Sequence, residues 1–115
     1  MAASEEAFGP FDVVVVPFPY SDRMAEKRRP ALVVSSAALH AQGYVWLAMI
    51  TGAAKERRDG DVLIRDLAGA GLPGPSMVRT VKIATVEPDR VLRRIGTLAR
   101  AERTAVKKAM AGWWG

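Results

Sequence analysis

The apolar positions of this 115-residue chain come in short bursts, separated by polar, glycine-rich or proline-rich breaks. The first burst, "FDVVVVPFPY" at 11–20, holds a β-branched run too short for a helix, which predicts a strand over Asp12–Val16 buried on both faces. Pro17 and Pro19 are expected to end its pairing. "SDRMAEKRR" at 21–29 reads as a polar loop, and "PALVVSS" at 30–36 as a second apolar strand. Pro30 suits the first strand position, where a missing N–H costs least. "YVWLAMIT" at 44–51 makes a third strand, rich in aromatic and β-branched residues. "GAAKERRDG" at 52–60 is a charged loop between two glycines, and "DVLIRDL" at 61–67 alternates well enough for a fourth strand. After the turn-rich "AGAGLPGP" at 68–75, "SMVRTVKIATV" at 76–86 predicts one strand or two, bent near Arg79–Thr80. "EPDRVL" at 87–92 suits a single helical turn, and "RRIGTL" at 93–98 a last short strand.

Only "RAERTAVKKAMAGWW" at 100–114 carries a helical period, with Val106, Ala109, Met110 and Trp113 on one stripe. Ala99 stands where Ser or Asp would cap it. Short strands followed by one terminal helix predict a mostly β fold: a small, strongly bent antiparallel sheet or barrel with a C-terminal α-helix.

Length and composition narrow this further. The chain suits a single domain over 1–115, with 1–10 a flexible N-terminus. Half the residues are apolar and a quarter charged, so a core can form without cross-links. The absence of cysteine rules out disulfides and thiolate metal sites. The start "MAASEEAFGPF" lacks the features of a signal peptide, and no apolar run is long enough to span a bilayer, so a cytoplasmic location is expected. The net charge of +5 favours polyanionic partners.

The cations cluster, and one cluster is oddly placed. Lys27, Arg28 and Arg29 stand directly against Pro30 and an apolar strand. A proline holds the residue before it extended, so Arg29 is aimed by a rigid element. Its planar fork of donors fits a phosphate and stays charged. The plainer explanation, a charged guard on a strand end, is slightly favoured by the residues alone. Thr51 ends the third strand before Gly52, where a hydroxyl can meet an anion and glycine admits close approach. A threonine bonding its own turn is the commoner case.

Taken together, "DVVVVPFPYSD", "KRRPALVVSS", "AMIT" and "PSMVRTVKIATVEPDRVLRRIGTL" resemble the MazF/PemK toxins of toxin–antitoxin pairs, over roughly residues 9 to 110. The resemblance implies an SH3-like barrel, a homodimer, and a metal-independent endoribonuclease needing no cofactor. It would cut single-stranded RNA to 2′,3′-cyclic phosphate and 5′-hydroxyl ends. It maps the family's catalytic pair onto Arg29 and Thr51. It also implies an antitoxin whose acidic, disordered tail covers a basic groove. Arg28, Lys55, Arg57, Arg58, Arg79 and Lys82 are then expected along the RNA path, with Tyr20 stacking on a base. Phe18 and Trp46 are weaker stacking candidates, Trp46 being expected in the core. His40 is the only side chain whose ordinary pKa suits a general base. It stands in a region where the family often has Asn. Two other readings stay open: a gyrase poison similar to CcdB, suggested by the terminal "GWWG", and a binding module without catalysis.

Overall fold

The computed structural model describes residues 7–18 and 27–115, the side chain of Phe18 excepted. Six strands form one sheet: β1 (Asp12–Phe18), β2 (Lys27–Val33), β3 (Val45–Gly52), β4 (Asp61–Ile64), β5 (Ser76–Val86) and β6 (Arg93–Thr97). Their order is β4-β5-β3-β2-β1-β6, every neighbouring pair antiparallel, and the sheet curls into a half-barrel. Three helices accompany it: α1 (Ala37–Ala41), α2 (Leu67–Ala70) and the long α3 (Arg100–Trp114), with a 3₁₀ turn at Pro88–Arg90.

Both faces of the central strands are buried, which is why the runs in β1 and β2 are continuous rather than alternating. Val13, Leu32, Ala48, Ile50 and Val78 face one core, closed by Val106 of α3 and by Ala70 and Leu72 around α2. Val14, Val16, Ala31, Val33, Leu47 and Met49 face the other, joined by Val91. The predicted stripe of α3 is the one used: Val106 is buried, and Ala109 and Met110 pack on the first core. No side chain caps α3 at Ala99. Instead Glu102, in its first turn, reaches back to accept the N–H groups of Arg65 (2.7 Å) and Asp66 (3.3 Å), tying α3 to the end of β4.

Several boundaries differ from expectation. Pro17 does not end the first strand; it pairs with Arg28, and Pro30 lies inside β2 opposite Val15. The carbonyl of Val15 accepts from Leu92 (2.8 Å), on the β6 side, so Val15 and Pro30 form a non-hydrogen-bonded pair. The donor that Pro30 lacks therefore faces β3, where pairing starts only at Ala31. The donor that Pro17 lacks faces β6, whose pairing with β1 stops at Val15. Each proline sits where its missing N–H breaks no ladder bond. The short helix α2 takes the predicted end of the fourth strand and the start of the turn after it, α1 forms where no element was predicted, and β2 stops at Val33. Ser35, expected in the strand, accepts the Trp46 N–H on its hydroxyl (3.0 Å). The expected bend of the 76–86 strand is a bulge: Met49 faces Arg79 while Ala48 faces Ile83.

Candidate functional site

Arg29 and Thr51 come from the two strands at the centre of the sheet. The β2–β3 ladder pairs Val33 with Leu47, Leu32 with Ala48 and Ala31 with Met49. Arg29 and Thr51 lie two residues beyond the last of these pairs, one on each strand. Alternate residues of a strand share a face, so both stand on the Ala31–Met49 face. The β2–β3 pairing stops at Ala31–Met49, so the two residues stand on one face just past the end of that ladder. Across the neighbouring strands Arg29 faces Val16 and Thr51 faces Met77. Arg29 and Thr51 are thus half-buried residues on the same face of neighbouring strands, at the rim of an apolar surface. A low-dielectric floor beneath a cation strengthens its hold on an anion.

The loop 52–60 follows directly on Thr51 and carries Lys55, Arg57 and Arg58, all exposed. It is fastened at both ends. Near its start Ala53 donates to the Pro75 carbonyl (3.0 Å) and Lys55 to the Gly52 carbonyl (3.1 Å). Near its end Asp61 accepts Nε and Nη2 of Arg79 (3.1 and 2.9 Å) and the Arg58 N–H (2.8 Å). Arg79 also donates to the Glu56 carbonyl (2.8 Å). Burial would raise the pKa of Asp61, but these hydrogen bonds and the charges of Arg79 and Arg57 outweigh it and hold the carboxyl below its ordinary range. The hydrogen bond to Asp61 raises the Arg79 pKa in turn. Arg79, expected along an RNA path, is engaged by Asp61 and Glu56; what it does here is lock the loop that carries the other cations.

The remaining candidates scatter. Arg28 is exposed and, by alternation, on the opposite face of β2 from Arg29. Lys82 lies in the bulge of β5. His40 sits on α1, beyond the far end of β2 from Arg29, with its ring stacked on Phe8 (centroids 5.0 Å apart). Trp46, expected in the core, is 39% exposed and lies at the opposite end of β3 from Thr51. Trp113 donates Nε1–H to Thr80 (2.9 Å), while Trp114 is 75% exposed. Tyr20 lies outside the described residues. Among the described residues no group of three or more His, Cys, Asp and Glu side chains is placed to hold a metal ion, and no helix is long and apolar enough to cross a membrane. Sequence reasoning missed Asp61; an aspartate opening a strand beside a run of cations was the available signal.

A family profile described as a PemK-like, MazF-like toxin of type II toxin–antitoxin systems matches residues 10–113. The chain belongs to the PemK/MazF toxin family. Solved structures of MazF proteins share its fold. The Mycobacterium tuberculosis toxin MazF-mt6 superposes with a TM-score of 0.72 at 21% identity, covering 90% of this chain and 95% of that one. A mycobacterial endoribonuclease in complex with its cognate antitoxin gives 0.76 at 20% identity, covering 95% and 96%. MazF from Deinococcus radiodurans gives 0.75 at 17% identity, covering 96% and 99%. A comparison with curated proteins returns no significant match. As a member of the PemK/MazF family the chain is a toxin of the toxin–antitoxin type, on the half-barrel with a C-terminal helix that its sequence predicts.

Proposed function

We propose that this MazF-type toxin is an endoribonuclease that cuts single-stranded RNA without a metal ion, with Arg29 and Thr51 at the reaction centre. The observation that supports the reading is the shared face of these two residues, just past the end of the β2–β3 ladder. The mycobacterial structural relative described as an endoribonuclease supports it. In the proposed reaction the RNA's own 2′-oxygen attacks the adjacent phosphorus. The O2′–P bond forms and the P–O5′ bond breaks. The proton on O2′ passes to a base, and a proton reaches O5′, leaving a 2′,3′-cyclic phosphate and a 5′-hydroxyl. Arg29 offsets the charge that grows on the phosphoryl oxygens, as preorganised donors do. A guanidinium is poorly matched to the task of proton donor near neutrality. Thr51 orients a phosphate oxygen or the 2′-hydroxyl for in-line attack. Lys55, Arg57 and Arg58, on the locked loop, attract the backbone of the strand.

The toxin works as a homodimer, and its cognate antitoxin lays an acidic tail along the same basic surface, so that RNA and tail compete. The decisive assay uses a fluorophore–quencher RNA of mixed sequence in EDTA, with the product ends mapped. The wild type is expected to release 5′-hydroxyl ends. Arg29→Ala should cut about 10²–10³-fold more slowly, the loss typical of one oxyanion donor. Absence of RNA cleavage together with gyrase-dependent DNA breaks would overturn the reading in favour of a topoisomerase poison.

A further inference from the structure

A second concave site lies on the other face of β2, where Arg28 points. It is a cavity of about 600 Å³, within the range of small-ligand sites, whose floor is Val15, Pro30, Leu72 and Ile95. Three arginines border it: Arg28, Arg29 and Arg93. The strand register explains the arrangement. Val15 faces Pro30 on one side and Arg93 on the other, so these three residues form one rung across β2, β1 and β6. Arg28 stands two residues before Pro30 on the same face. Arg28 and Arg93 therefore flank the aliphatic floor diagonally, about 12 Å apart at Cα from strand spacing and rise. Both are exposed, and among the described residues no hydrogen bond or ion pair ties down either guanidinium.

We infer that this cavity is a nucleotide subsite, taking the base of a residue next to the scissile phosphate on its aliphatic floor and the attached phosphate on Arg28 and Arg93. The inference rests on the ribonuclease reading and adds to it a specificity pocket and a residue, Arg93, that the reaction itself does not use. Three features select a nucleotide. The floor is apolar and bounded by planar guanidinium groups, on which an unpaired base can stack. The rim is cationic, matching a phosphate. The cavity touches Arg29, so a strand gripped there needs only to bend around the end of β2 to enter it. Arg28 and Arg29, adjacent in sequence and opposite in direction, then hold successive parts of one strand.

The test uses the full chain. First the cleavage sites of the wild type are mapped on a long mRNA. A fluorescein-labelled, fully 2′-O-methylated copy of one cleaved segment then serves as the uncleavable probe. Arg93→Ala is expected to weaken probe binding about 5- to 20-fold at 0.1 M salt. It should also lower the slope of log affinity against log salt by about 0.7, the value for one phosphate contact on a single strand. The mapped cleavage sites should become degenerate at one position beside the cut and stay unchanged elsewhere. Arg93→Lys should restore the salt slope. If the wild type cleaves RNA while Arg93→Ala leaves affinity, slope and site pattern unaltered, the subsite is refuted and the ribonuclease stands. If Arg93→Ala spares RNA but weakens binding of an acidic peptide, the cavity is a protein-docking site and the inference is again refuted. A wild type that cleaves no RNA removes both.

Discussion

Thr80 offers the sharpest test of how the C-terminal helix is held. Its side chain is fully buried at the β5 bulge. Its hydroxyl donates to the Gly60 carbonyl (2.7 Å) and accepts the Trp113 indole N–H (2.9 Å), joining the end of the 52–60 loop to the end of α3. Gly60 fits because its φ is +86° and because a Cβ there would meet Thr80 Oγ1 and the Trp113 ring, each at 2.6 Å. Thr80→Val keeps the shape and removes both bonds. Each is worth about 1 kcal/mol net, and the part-buried Gly60 carbonyl, left unpaired, adds up to about 1 kcal/mol more, whereas the half-exposed Trp113 N–H can turn to water. The expected loss is about 2–3 kcal/mol, or a fall in Tm of about 10 °C for a chain of this size. Trp113→Phe removes one bond and keeps most of the ring, so about 1 kcal/mol is expected. In the double variant the shared bond can be lost only once, giving a coupling of about 1 kcal/mol. Urea unfolding followed by far-UV circular dichroism at one protein concentration measures all three. A Thr80→Val loss under about 0.5 kcal/mol, or strict additivity, would show that the hydroxyl does not carry this junction.

Three further outcomes follow from the same contacts. The lowered pKa of Asp61 gives stability that is complete above its unfolded value, about 3.9, and lost as pH falls through the lower folded value; Asp61→Asn should be less stable at pH 7 and should lose less between pH 5 and about 2 in urea titrations. Gly71, the left-handed cap of α2 at φ +74°, lies against the Ile95 carbonyl, and Gly71→Ala should cost about 2–4 kcal/mol by chemical denaturation, from backbone strain and overpacking. Glu102→Ala should cost about 2–3 kcal/mol by stranding the Arg65 and Asp66 N–H groups, and Glu102→Gln, which keeps an acceptor, clearly less in the same assay.

Much of this architecture is written in local pattern. The β-branched run of β1, the aromatic-rich β3 and the periodic α3 each occupy the positions their periods predict, because each buries enough apolar surface to decide its own conformation. The misses share another cause. Pro17 and Pro30 look like strand limits, yet both lie in the β1–β2 ladder, since what matters is which neighbour their missing donors face. That is a tertiary fact. The helices α1 and α2 are four or five residues long, below the length at which a period can be read. At the site, Arg29 and Thr51 were legible as individual residues, but their common face follows only from a register between strands. Arg79 looked like one more surface cation because its partner, Asp61, precedes it by 18 residues and meets it only across β4 and β5. Trp46 was misplaced because a mid-strand aromatic says nothing about whether its face is covered.

The proline at position 30 has one more consequence. An ordinary residue there would offer β3 a backbone donor, and the two central strands could go on zipping together toward their ends. With that donor missing, the next rung is denied its bond, and the strands are free to splay where Arg29 and Thr51 stand. The residue that holds Arg29 extended thus also works as a spacer, keeping the ends of the two central strands from closing on each other.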